Sequence, residues 1–126
     1  MRAVDTNVLV RLLVRDNEQQ RSSAEAFVSP GAWVSHLVLA ETVWVLDSVY
    51  HLSHSELINA IEMLQSQEQI IIEEPDVVSA ALEHYKQKPS LRFTDCLILE
   101  IARKAGCRPL GTFDKNLAKI AGTQKL

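Results

Sequence analysis

The sequence predicts an α/β domain with a mainly parallel sheet. Two observations carry that expectation. Short apolar runs with strand character alternate with stretches whose apolar residues recur at helical spacing, the pattern of successive strand–helix units. The first such run, Arg2-Ala3-Val4, ends on Asp5-Thr6-Asn7 and passes at once into the helix-like Val8, Leu9, Val10, Leu12 and Leu13. A carboxylate therefore stands at the carboxyl end of a strand, the edge where open α/β sheets gather ligands. With 126 residues, 47% hydrophobic and 23% charged, the chain reads as one soluble domain, residues 1–126, large enough for a real core.

The elements follow in order. Asp16-Asn17 can cap a helix from Glu18 to Val28, which Ser29-Pro30-Gly31 breaks. Ala32-Trp33-Val34 is a second strand, and Ser35 caps a long helix over about Leu37 to Tyr50. After a turn at Leu52-Ser53-His54, Ser53 and Glu56 have capping-box spacing. The helix they open runs to about Gln65, with Leu57, Ile58, Ile61 and Leu64 on one side. A strand from Gln69 to Glu73 is centred on Ile70-Ile71-Ile72. Pro75 suits the start of a helix carrying Val77, Val78, Ala81, Leu82 and Tyr85 on one face, ended by Pro89. Thr94 is expected to cap a helix through Ala105, which Gly106 stops. Pro109-Leu110-Gly111 is a short strand, Asp114 opens a last helical turn to about Ala121, and the tail from Gly122 to Leu126 is a final edge strand.

Composition excludes several classes. No apolar run nears the ~20 residues of a membrane helix, and the amino end does not resemble a signal peptide, so a cytoplasmic protein is expected. Cys96 and Cys107, with no CxxC neighbour, read as reduced and structural. The net charge of −3 hides an asymmetry: residues 86–126 hold nine Lys/Arg against three acids, and residues 1–85 hold four against thirteen. A basic final third can serve a polyanion such as RNA, although taken alone it is first of all a solvated face. There is no Gly-rich phosphate loop and no GxSxG elbow. His51 and His54 flank a turn without a third ligand and read as surface or interface histidines. Trp33 and Trp44 read as core or dimer contacts rather than base-stacking platforms.

Carboxylates in apolar company demand more. Glu41 has Leu37, Val38, Trp44 and Val45 as its neighbours at helical spacing, so it is expected to point where the core should be. Asp95 has Ile98 and Leu99, while Glu100, Arg103 and Lys104 form the polar face of that helix. A buried, unpaired carboxylate is costly and either takes up a proton or finds a cation. Each acid has a structural explanation of its own: Asp5 and Asp114 can cap helices, and Asp95 can sit beside a helix dipole. The joint explanation is that Asp5, Glu41, Asp95 and Asp114 meet at one edge of the sheet around a shared cation. An all-oxygen donor set suits Mg2+ or Mn2+ rather than zinc or copper, and such a centre suits phosphate chemistry. Asn7 and Thr112 lie near enough in sequence to orient Asp5 and Asp114.

These stretches together — Ala3-Val4-Asp5-Thr6-Asn7, the apolar helix holding Glu41, Phe93-Thr94-Asp95 and Gly111-Thr112-Phe113-Asp114 — resemble a PIN domain, and more narrowly the VapC ribonuclease toxins of prokaryotic toxin–antitoxin pairs. The resemblance covers the whole chain. It implies a three-layer fold with helices on both faces of the sheet and a Mg2+- or Mn2+-dependent endoribonuclease. It also implies homodimers, a cognate antitoxin protein as inhibitor, and transfer or ribosomal RNA as substrate. By the matching motifs Asp5, Glu41, Asp95 and Asp114 would be the catalytic metal-site acids, with Asn7 and Thr112 as polar support. A water on the metal would attack the scissile phosphate, leaving 5′-phosphate and 3′-hydroxyl ends. Arg92, Lys115 and Lys119 would hold the RNA backbone. Many relatives carry an acid where this chain has Arg92; that guanidinium either alters metal affinity and approaches the substrate phosphate or points to solvent. The alternatives are a catalytically silent PIN-like module that binds RNA or protein, and a receiver-type phosphoacceptor, against which the late acids Asp95 and Asp114 argue.

Overall fold

Helix and strand follow one another as the apolar spacing demands, and every strand pairing is parallel. A computed structural model describes all residues, 1–126. The chain forms two compact units, Met1–Glu73 and Glu74–Leu126.

The first unit carries a three-stranded sheet of order β1-β2-β3, from Arg2–Ala3 (β1), Ala32–Val34 (β2) and Ile70–Ile72 (β3). Registers Ala3↔Trp33 and Trp33↔Ile71 put these three side chains in one row. Ala32, Val34, Ile70 and Ile72 point the other way and are buried, the period-2 alternation of a strand with one covered face. Parallel pairing requires crossovers. Between β1 and β2 run α1 (Thr6–Leu13) and α2 (Glu18–Val28); between β2 and β3 run α3 (His36–Ser48) and α4 (His54–Ser66). Asn17, Ser35 and Ser53 cap their helices as their sequence positions suggest, and Ser53 with Glu56 makes both bonds of the capping box. The start of α3 is tied to the end of β3, where Glu73 Oε1 accepts the His36 amide at 2.8 Å. The ends of α1 and α3 are tied by a closed triangle. Arg11 donates to Asp16 at 2.6 Å and to the Tyr50 hydroxyl at 2.8 Å, and that hydroxyl donates to Asp16 at 3.0 Å.

One expectation fails in α3. Glu41 is exposed, with Leu37 69% and Trp44 61% exposed beside it. The helix buries Leu39, Thr42, Val43 and Leu46 instead. Thr42 satisfies its hydroxyl by donating to the Val38 carbonyl at 2.7 Å, so a polar residue costs little inside. Trp33, at 38%, is not a core residue either.

The second unit holds α5 (Pro75–Gln87), α6 (Phe93–Lys104) and a two-stranded parallel ladder of β4 (Leu110–Thr112) and β5 (Thr123–Lys125), with a 3-10 turn at Leu117–Lys119. Pro75 is the first residue of α5, where its missing N–H is harmless. The two helices pack through Val77, Val78, Ala81, Leu82 and Tyr85 on one and Phe93, Cys96, Leu97 and Leu99 on the other. Tyr85 and Phe93 meet edge to face at 6.0 Å. The tail strand expected at the carboxyl end is real, and its register is Leu110↔Thr123. Two details differ from expectation. Thr94 does not cap α6: the helix begins at Phe93 with Arg92 as N-cap and no side-chain cap bond. Glu100 is not on a solvated face, because its side chain is only 11% exposed. Its Oε2 lies 2.8 Å from His84 Nε2 and forms an ion pair with Arg103, Nε at 3.3 Å, while Arg103 also donates to the Ala121 carbonyl. That cluster clamps α5, α6 and the approach to β5. Both cysteines are free, Cys96 buried and Cys107 exposed. No helix is long and apolar enough to cross a membrane.

Candidate active site

The first unit presents one pair of acids. Asp5 is the N-cap of α1: its backbone is extended, and Oδ1 accepts the Val8 amide at 3.2 Å. The capping role weighed for it is therefore real. It occupies one oxygen and turns the carboxylate in a fixed direction at the carboxyl end of β1. The next residue, Thr6, donates its hydroxyl to Glu41 Oε2 at 2.9 Å. Glu41, 36 positions from Asp5 in the chain, is thereby held by the residue that directly follows Asp5. Both acids are exposed.

The second unit presents the other pair. Asp114 Oδ1 accepts the amides of Asn116 at 2.7 Å and Leu117 at 3.0 Å, and the Asp114 amide donates to Thr112 Oγ1 at 3.0 Å. The two amides, Leu117 first, hold the Asp114 carboxyl below its ordinary range, and the Arg92 guanidinium adds to the effect. Asp95 stands in the first turn of α6 and is partly buried. Its carboxyl is pushed up, chiefly by desolvation and then by the negative charge of Asp114, against the pull of Arg92. The two acids are thus close enough to repel one another, with one arginine bearing on both.

The remaining expected residues divide. Thr112 supports Asp114 directly through its backbone. Asn7 does not support Asp5; it lines a cavity with Val8, Arg11, Gln20, Ser23, Ala24 and Phe27. The triplet's side-chain bond to another acid comes instead from Thr6, which reaches Glu41 and which the sequence did not single out. Arg92, Lys115 and Lys119 are exposed, as cations available to a polyanion must be. Within each unit the chemistry is oxygen alone: two carboxylates and a threonine hydroxyl in the first, two carboxylates in the second. Neither unit by itself gathers three metal-ligating side chains. The donor set fits a hard divalent cation, and the repulsion between Asp95 and Asp114 is what such a cation would relieve.

Fold and local chemistry together define a class: an α/β chain of parallel strands with the carboxylates of Asp5, Asp95 and Asp114 at strand ends and helix starts and that of Glu41 within α3. The sequence pattern of the PIN domain family matches residues 2–123, and the chain belongs to that family, a family of nucleases. Among solved structures the chain is similar to that of the Mycobacterium tuberculosis toxin VapC20, described as a sarcin–ricin loop cleaving toxin. The identity is 19% and the TM-score 0.44, over 100% of this chain and 98% of that one. Comparison with curated proteins gave no match.

Proposed function

We propose that this chain is a Mg2+- or Mn2+-dependent endoribonuclease, the toxin of a toxin–antitoxin pair, acting in the cytoplasm as a single PIN domain. Asp5, Glu41, Asp95 and Asp114 are its metal-holding acids. The observation that carries the reading is the Asp95–Asp114 pair: two like charges kept within reach of each other, one oriented by two amides and a threonine. Asp114 also caps the turn that follows it, but that capping does not account for a second, partly buried acid, Asp95, raised by desolvation and then by the charge of Asp114, whereas a bound cation would offset both. When bound, the divalent ion supplies Lewis acidity toward water and toward the phosphate oxygens.

The chain's own residues supply the rest. The Val8 amide fixes one oxygen of Asp5 and leaves the other for a ligand. Thr6 fixes Glu41 on an otherwise mobile exposed side chain. Arg92, Lys115 and Lys119 take the RNA phosphates, and the scissile bond breaks to 5′-phosphate and 3′-hydroxyl ends. The substrate class is structured transfer or ribosomal RNA, the inhibitor is a cognate antitoxin protein, and the active form is a homodimer.

The test is cleavage of total RNA by the purified protein with Mg2+, with Mn2+ and with chelator, beside Asp5→Asn. Asparagine still caps a helix, so the variant keeps its fold, shown by an unchanged melting temperature. Discrete metal-dependent cuts that fall about a hundredfold or more in the variant, the loss typical when an electrostatic stabiliser is removed, establish the nuclease. No cuts under any metal, with the fold intact, identify a silent RNA- or protein-binding module instead.

A further inference from the structure

Arg92 is an unpaired cation beside two acids. As N-cap of α6 it is extended, at φ −90° and ψ 141°. Its carbonyl accepts the amides of Asp95 at 3.1 Å and Cys96 at 3.3 Å, which fixes the root of the side chain against the first helical turn. N-cap and third helical position lie on the same side of a helix start, so Arg92 and Asp95 share a face. The guanidinium nevertheless caps nothing, forms no salt bridge and is exposed. In this unit Arg103 is spent on Glu100 and Ala121, and Lys104 on Asp76 at 2.7 Å. Arg92 alone directs its charge at both Asp95 and Asp114.

A fixed charge with free donors has a definite consequence. The planar N–H fork fits two phosphate oxygens at once. The same positive charge discourages a second divalent ion at the pair, since unit charges a few ångströms apart still repel in a wet site. We propose that Arg92 is a resident cation of the Asp95–Asp114 pair, limiting the protein to one divalent ion and holding the RNA phosphate that a second ion would otherwise hold. Arg92 then touches substrate, while the acids touch metal. The inference rests on the nuclease reading above and deepens it.

Mn2+ binding, counted by the loss of the free-ion paramagnetic resonance signal, tests the first half on the whole metal-free protein. The wild type is expected to take one Mn2+ per chain. Arg92→Gln binds Mn2+ more tightly, by about tenfold, and Arg92→Glu more tightly still or with a second ion. The second half is read from the salt dependence of binding to an uncleavable RNA. The logarithmic slope falls by about one contact in Arg92→Gln, and Arg92→Lys restores the slope without restoring full affinity. Two ions in the wild type, or unchanged Mn2+ affinity and salt slope in both variants, overturn the proposal while leaving the nuclease reading standing. Mn2+ binding that survives in Asp95→Asn overturns the metal reading and this inference with it.

Discussion

Thr6 shows how much of a site can hang on one hydroxyl. It follows Asp5 directly, and its bond to Glu41 spans 35 positions of sequence, so no local pattern could have disclosed it. A threonine after an acid reads equally well as a helix-start residue. Glu41 misled in the opposite direction: its neighbours at helical spacing are apolar, yet Leu37 and Trp44 are themselves exposed. The helix around Glu41 was legible and the acid's surroundings were not, because a helix that is apolar nearly all round gives no periodic signal of which face is covered. Thr6→Val should lower RNA cleavage by about tenfold, roughly 1.4 kcal/mol of barrier, and Thr6→Ser should retain most of the activity. The bond is exposed, so its loss costs the fold no more than about 1 kcal/mol. A wild-type rate in Thr6→Val would mean that Glu41 finds its working position without the hydroxyl.

At the scale of elements, most capping signals were read correctly and one was not. Asn17, Ser35 and Ser53 cap their helices, and Pro75 opens α5, because a cap is a contract among residues three or four apart. Thr94 broke the pattern: Phe93 is 2% exposed, and burying that ring against Tyr85 starts α6 earlier than a capping rule would place it. The capping box of α4 gives a pH prediction. Glu56 is held below the ordinary value of 4.5, first by the Ser53 amide and then by its side chain. A carboxyl whose pKa is depressed by folding contributes stability that is full above its unfolded value and fades as pH falls through its folded value. Glu56→Ala should therefore melt below the wild type at pH 7, and the two curves should converge toward pH 3. Ser53→Ala, which removes the cap itself, should cost about 1 kcal/mol at pH 7. A Glu56→Ala deficit that stays constant across that range would show that its side chain acts through packing rather than through the bond to Ser53.

On the scale of the molecule, the order of strands and helices was visible in the alternation of periods, and so was the parallel pairing that such an order enforces. The division of the strands between a ladder of three and a ladder of two was not. Pairing partners lie tens of residues apart, and runs of two or three strand residues carry no register information. Stability, by contrast, follows from what each unit buries. The first has Leu9, Val10, Leu39, Leu46 and Ile61, the second Val78, Phe93, Cys96, Leu97 and Leu99, and none of these needs a metal. Chelator should therefore leave the melting temperature of the metal-free protein unchanged, unlike domains whose fold is their metal site. Adding Mn2+ to about a hundred times its dissociation constant should raise stability by about 2.7 kcal/mol, or about 10 °C for a chain of this size. The gain comes from binding that only the folded chain offers, so it should vanish in Asp95→Asn and Asp114→Asn while their metal-free melting temperatures stay close to wild type. If chelator unfolds the protein, the ion is part of the architecture, and the acids must then be judged by what they hold together as well as by what they cleave.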